Sequence, residues 1–205
     1  MLLEMKFIHQ DLTIIGKFNS SIIVPSWLKE TGIYPGQIEI ELNPDTNDLR
    51  YHLVKNDIYA QIIGDRFIVY PRDPSAENFD RLQLGFVSGI FNNLKYTPMT
   101  AIGFNFRSHL TEDHSDLFKD VFQKINDTKS NIQKGAKLTK SNFTRIFQLD
   151  DYKITLVYEL EVGKKTEVVV NFELGLNKNP DKAISSFINK VKEFRSYAIN
   201  YATKV

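Results

Sequence analysis

Apolar and polar residues alternate with a period of two along much of this chain. Ile38, Ile40 and Leu42 are separated by Glu39 and Glu41, and Leu49, Tyr51 and Leu53 by Arg50 and His52, the pattern of half-buried strands. An earlier strand is predicted over Asp11–Phe18, and two later ones over Ile58–Ile63 and Phe67–Tyr70, the last pair joined by Gly64-Asp65 in a tight hairpin. Pro25 opens a short helix, where its missing amide proton costs nothing, and Gly32 closes it, with Trp27 and Leu28 as core contacts. Over 76–95 the period changes: Phe79, Leu82, Phe86, Val87, Ile90, Phe91 and Leu94 recur at spacings of three and four, an amphipathic helix that Ser75 can cap. Gly85 and Gly89 lie on one side of it, each costing about 1 kcal/mol relative to alanine, so a close neighbour is expected there, the sheet being the first candidate.

The same order then returns. Thr100, Ile102, Phe104 and Phe106 alternate with smaller or polar residues in a long strand within 97–109, and Leu117, Phe118, Val121, Phe122 and Ile125 give a helix over 116–126. Phe143–Leu149, Lys153–Val162 and Thr166–Leu174 read as a meander turning at Asp150-Asp151 and Gly163-Lys164. Asn179-Pro180 starts a last helix of about six turns, with Ile184, Phe187, Ile188, Val191, Phe194, Ala198 and Ile199 on its apolar side.

Strand, helix, strands, helix, used twice, predicts an α+β fold: an antiparallel sheet with helices packed on one face, in a single domain of 1–205 built from pseudo-repeats 11–95 and 97–205. The halves are expected to meet through the strand at 97–109. This element order resembles that of the duplicated, saddle-shaped TATA-binding proteins, and the likeness is one of order, not of residues.

Composition narrows the function classes. The chain has 205 residues, 42% hydrophobic and 25% charged, an ordinary globular balance able to fill a core without cross-links. Cysteine is absent, which removes disulfides, thiolate nucleophiles and cysteine metal sites and suits a reducing cytoplasm. No basic leader or long apolar run is seen, so a cytoplasmic protein without membrane contact is expected. A net charge of +1 gives no global attraction to nucleic acid. Locally, Lys124, Lys129, Lys134, Lys137, Lys140 and Arg145 stand against Asp127 alone, a basic stretch that reads foremost as a solvated loop.

If the apolar positions face the helices, the opposite side of the sheet carries Glu39, Glu41, Glu159, Glu161, Glu167 and Glu173, with Arg50 and His52 as counter-charges. Such a face is wrong for duplex DNA, whose phosphates call for lysine and arginine, and suits either solvent or a basic protein partner. His109 and His114, with Glu112, Asp113 and Asp116 near them, invite a metal reading, but five residues across a strand-to-helix junction is poor ligand spacing. His52 is read as a solvated strand residue rather than a general base, and Asp150-Asp151 as a turn. No phosphate-binding glycine loop, nucleophile elbow or zinc-peptidase motif occurs, so no catalytic residue, metal or cofactor is assigned. Tyr197 and Tyr201, one helical turn apart beside Lys190, Lys192, Arg195 and Lys204, fit a packing ridge or an interface better than a base-stacking site.

Two stretches look familiar: Lys17-Phe18-Asn19-Ser20-Ser21-Ile22-Ile23-Val24-Pro25-Ser26-Trp27-Leu28 and Leu94-Lys95-Tyr96-Thr97-Pro98-Met99-Thr100-Ala101-Ile102-Gly103-Phe104-Asn105-Phe106. They resemble a sporadically distributed family of uncharacterised bacterial proteins with an FNPxIxxPxW start and a TPVxAxGxN centre, departing at Ser20 where that pattern has proline. The resemblance covers about a third of the chain and implies no catalytic residue; its patchy occurrence suits a mobile-element or defence accessory protein. The expectation is therefore a non-catalytic protein-interaction or self-assembly module, a homo-oligomer using Glu159, Glu161 and Glu173 on the sheet or Tyr197 and Tyr201 on the last helix. The alternative is nucleic-acid binding through Lys134, Lys137, Lys140 and Arg145 together with the basic C-terminal helix.

Overall fold

The computed structural model describes residues 6–43, 48–74, 79–94, 96–109, 140–161, 164–176 and 180–203. Ser75, the expected 116–126 helix, His114, Lys134, Lys137, Gly163 and Asn179 lie outside these residues, as does the side chain of Tyr201. The strands are β1 (Lys6–Gly16), β2 (Ile38–Leu42), β3 (Leu49–Leu53), β4 (Ile58–Ile63), β5 (Arg66–Pro71), β6 (Met99–His109), β7 (Lys140–Leu149), β8 (Tyr152–Glu161) and β9 (Glu167–Gly175). The helices are α1 (Pro25–Glu30), α2 (Phe79–Asn93), α3 (Pro180–Asn189) and α4 (Val191–Thr203). The fold is α+β, dominated by one nine-stranded antiparallel sheet in the order β2-β3-β4-β5-β1-β6-β9-β8-β7.

The register follows the alternation in the sequence. Leu12 pairs with Val69 and with Phe104, Phe104 pairs with Phe172, and Phe172 pairs with Ile154, so one side of five adjacent strands is a continuous buried apolar row. Helix side chains meet that row: Phe187 of α3 stacks on Phe104 at 5.4 Å, Phe194 of α4 on Phe172 at 4.6 Å, and Phe86 of α2 lies 6.3 Å from Phe67. Each such side chain, fully buried, contributes about 1.5–3 kcal/mol through removal of apolar surface from water.

β1 begins five residues earlier than its apolar run suggests, because it lies between β5 and β6 and the 6–10 segment pairs with 106–109 through a bulge at Phe7/His9. The final helix is not continuous. It breaks at Lys190, whose amide donates to Phe187 O at 3.1 Å, and Phe187 and Phe194 on either side of the break both pack on Phe104 and Tyr152. Lys140, expected in a solvated loop, opens β7, which starts three residues before the predicted strand Phe143–Leu149.

The glycine expectations need correction as well. A Cβ at Gly89 would stand 3.1 Å from the Ile33 side chain, so the neighbour is the loop after α1 and not the sheet; no described atom lies within 4 Å of a Cβ at Gly85. A Cβ at Gly103 would stand 3.0 Å from the Phe172 carbonyl of the neighbouring strand β9. The turn residues behave as their chemistry requires: Gly64 (φ 59°) makes the β4–β5 hairpin and Asp150 (φ 52°) the β7–β8 turn, aspartate being among the few side chains that tolerate this region. Among the described residues no helix is long and apolar enough to cross a membrane.

Candidate functional site

Alternation places a second set of side chains on the other side of the sheet. Glu39 pairs with His52, His52 with Tyr59, and Tyr59 with Tyr70. The Leu12–Val69 pair sets Tyr70 beside Asp11, and Asp11 then pairs with Asn105, Asn105 with Asn171, Asn171 with Thr155, and Thr155 with Ile146. A single polar and aromatic row thus crosses the sheet from β2 to β8 and ends on the exposed Ile146 of β7.

At its centre is a buried carboxylate. Asp11 Oδ1 accepts from Thr13 Oγ1 and from Asn105 Nδ2, both at 2.7 Å, and Oδ2 lies 2.9 Å from His9 Nε2. Asn171 Nδ2 continues the ladder to Asn105 Oδ1 at 2.6 Å. A groove of about 250 Å³ runs beside it, between Thr13, Arg66, Thr155 and Glu173, with Ala101 and Gly103 as floor. These three contacts hold the Asp11 carboxylate in place, and the groove beside it offers positioned hydrogen-bond groups.

The second polar centre is at the β2–β5 end. His52, expected to be solvated, has a side chain only 6% exposed. Its Nδ1 lies 3.2 Å from Glu39 Oε2 and 3.8 Å from Glu41 Oε1, its Nε2 3.0 Å from Asp57 Oδ1, and its ring 4.8 Å from that of Tyr59. Arg50 donates through Nε and a terminal nitrogen to Glu41 Oε2 at 3.0 and 2.8 Å and covers the Tyr59 ring at 4.2 Å. Burial acts to lower the Arg50 pKa, but its hydrogen bonds to Glu41 and Tyr70 leave it above its ordinary value. Burial, followed by the Glu41 charge, pushes the Tyr59 phenol up. Alternation alone hides this burial. The available signal was Tyr59 and Tyr70 on the polar side of neighbouring strands, aromatic bulk that closes over His52.

The glutamates expected to form an acidic docking face are on this side of the sheet, and four of them on β8 and β9 each lie beside a cation. Lys140 reaches Glu159 at 3.2 Å, Lys153 reaches Glu173 at 2.7 Å, Lys164 reaches Glu161 at 2.8 Å and Arg107 reaches Glu167 at 3.5 Å. The hydrogen bond from Lys164 holds Glu161 below the usual carboxylate range. Tyr197 packs against the core while its hydroxyl donates to Glu193 Oε1 at 2.8 Å. Arg145 lies over the Phe143 ring at 5.0 Å.

No family model and no curated protein matches the chain. The two sequence motifs are therefore read through what they do in the fold, where they meet: Lys17 N donates to Pro98 O at 2.9 Å, and Gly16, paired with Met99, would bring a Cβ to 2.7 Å from that carbonyl. Phe18 packs on Phe67 at 5.7 Å, and Asn19 Oδ1 accepts from Ser21 N at 2.9 Å to turn the chain toward α1. Both act as scaffold at one end of the β1–β6 pair.

Proposed function

We propose that the protein is a non-catalytic self-assembly module whose contact is the outer edge of β7, where a second copy adds its own β7. The observation that carries this reading is the exposure of that edge: among the described residues no strand lies outside β7, and Ile146, Phe147 and Leu149 are 66%, 41% and 42% exposed. A ten-residue strand at the border of the described sheet, with no proline and no acidic residue, suits strand addition by a second copy.

The order of the sheet supports the same place. Read outward from the β1–β6 seam, β5, β4 and β3 on one side stand opposite β9, β8 and β7 on the other. We read this as two strand-helix-strands-helix halves with their helices on one common face. In the first half β2 lies outside β3; the position outside β7 is the one a second copy would occupy.

Side-chain complementarity selects a register. An antiparallel two-fold pairing centred on Ile146 sets Ile146 against its own copy, Phe147 opposite Arg145 and Phe143 opposite Leu149. This register buries all three exposed apolar side chains and keeps the two Arg145 side chains apart, whereas centring on Arg145 would oppose like charges. Lys140 and Arg145, candidates for phosphate binding, are already engaged with Glu159 and Phe143, which favours the protein contact over nucleic acid.

Light scattering over a concentration series tests the reading. A dimer is expected, converted to monomer by Ile146→Pro and by Phe147→Glu. A wild-type monomer at every concentration, or a mass that increases only with short DNA or RNA at low salt, overturns it.

A further inference from the structure

We propose that Glu39, Glu41 and His52 form a binding site for a divalent transition-metal ion at the β2–β3 edge of the sheet. The site lies at the far end from β7 and does not depend on the assembly reading.

The backbone sets up the ligands. Glu39 and Glu41 are two apart on β2 and so project from the same face, and His52 is the cross-strand partner of Glu39 on β3. Their nearest ligand atoms lie within 4.8 Å of one another, with Nδ1 of His52 3.2 Å from one carboxylate oxygen and 3.8 Å from the other. Ligands held about 2.0–2.2 Å from one ion stand about 3–3.6 Å apart in tetrahedral or octahedral geometry; the Glu39–His52 pair at 3.2 Å already fits, and Glu41, 3.8 Å from Nδ1, must move inward.

The groups around the ligands make this more than a set of neighbouring charges. Each ligand has its other polar atom tied to a residue outside the triad. Asp57, held in the left-handed region at φ 51°, receives Nε2 of His52 at 3.0 Å, the second-sphere carboxylate that fixes a metal-binding imidazole and directs its Nδ1 lone pair at the centre. Gln37 Nε2 donates to Glu39 Oε1 at 3.1 Å, leaving Oε2 toward the centre. Arg50 donates to Oε2 of Glu41, while Oε1, which accepts a long 3.5 Å hydrogen bond from the Tyr59 hydroxyl, faces His52. His52 is more than nine-tenths buried, and its Nδ1 faces two carboxylates and no other partner among the described residues.

The donor set defines the ion class. One imidazole and two carboxylates suit zinc, manganese, cobalt, nickel or ferrous iron; a soft ion would need sulfur, and magnesium or calcium would prefer oxygen throughout. Glu39 is half exposed, so the fourth position opens to water, and the ion ties edge strand β2 to β3.

Isothermal titration of the full-length chain, first stripped with a chelator, with Zn²⁺ alone tests the proposal, and Co²⁺ absorption reports the ligand set. One ion per chain is expected, with a Co²⁺ spectrum of nitrogen–oxygen ligation and a higher unfolding temperature in Zn²⁺. Glu39→Gln, at an exposed edge position that does not endanger folding, should weaken binding at least tenfold. His52→Asn should abolish it, and Asp57→Asn should weaken it about 10- to 100-fold without removing a ligand. His9→Ala, on the same face but remote, should leave it unchanged. Failure to bind Zn²⁺ or Co²⁺, as when His52 is an imidazolium bridging the same carboxylates, overturns the proposal. Binding that Glu39→Gln leaves intact does so equally.

Discussion

Gln10 and Arg195, 185 positions apart, meet at 2.8 Å, where a terminal nitrogen of the α4 guanidinium donates to the side-chain carbonyl of a strand residue that is itself almost fully buried. The same amide donates through Nε2 to Pro74 O at 2.7 Å, so one glutamine on β1 ties the last helix and the chain beyond β5 to the middle of the sheet. Replacing Gln10 by leucine should cost about 1–3 kcal/mol, because the partner groups lose a buried acceptor and donor. In a double-mutant cycle with Arg195→Met, measured by urea unfolding, the coupling should be about 1 kcal/mol; zero coupling would mean that the contact is not formed in solution.

Phe187 stacks on Phe104 at 5.4 Å and lies 5.0 Å from Phe194, so it anchors α3 and the break before α4 at once. Phe187→Ala should cost about 3–5 kcal/mol and lower the near-ultraviolet dichroism of the aromatic cluster, whereas Phe187→Leu should keep most of the stability.

Gly103 has no room for a side chain. Alanine there would press on the Phe172 carbonyl at 3.0 Å and on Asn171 Nδ2 at 3.3 Å, spreading β6 from β9 or displacing the Asn105–Asn171 bond. A loss of about 1–3 kcal/mol is expected, larger for valine, and amide exchange should quicken first in β6 and β9.

Alkaline unfolding should report Tyr158. Burial pushes this phenol up from 10.0 to about 12, with Arg145 pulling the other way. Below about pH 10 both states keep the proton; between about 10 and 12 the unfolded chain loses it first, so stability falls with rising pH by about 2–3 kcal/mol and levels beyond. Tyr34, Tyr51 and Tyr59 are raised by burial too and add in the same direction. Tyr158→Phe should therefore make the fall shallower without removing it, as read from unfolding midpoints between pH 9 and about 12. An unchanged slope would place this ring in water.

The strands were legible because the period-2 pattern is strong: the partners Ile102, Phe104 and Phe106 follow from alternation, and β6 does join the two halves as expected. Where a strand lies between two others, alternation under-reports its length, as at Lys6–Gln10, whose pairing is decided by residues about a hundred positions away. The helix break at Lys190 was invisible because an apolar stripe records which residues are buried and not whether the helix runs unbroken between them. His52 was misjudged for a related reason: pattern gives the face, but only three-dimensional neighbours such as Tyr59 and Asp57 give the burial. The counter-ions of Glu159 and Glu173 needed the register, since Lys140 and Lys153 lie about twenty positions away on neighbouring strands, whereas Lys164 is only three residues from Glu161.

The placement of β1 has a consequence for synthesis. β2 to β5 and β7 to β9 are local meanders, but β1, made first, waits for β6 before its second edge is covered. A nascent chain that has emerged only as far as α2 carries one finished meander and a strand with its whole inner edge open, a state that invites pairing with another nascent chain. Closure of that seam spans most of a hundred residues, so it is the slow, high-separation step, and the time between the emergence of α2 and of β6 is when this protein is most exposed to aggregation.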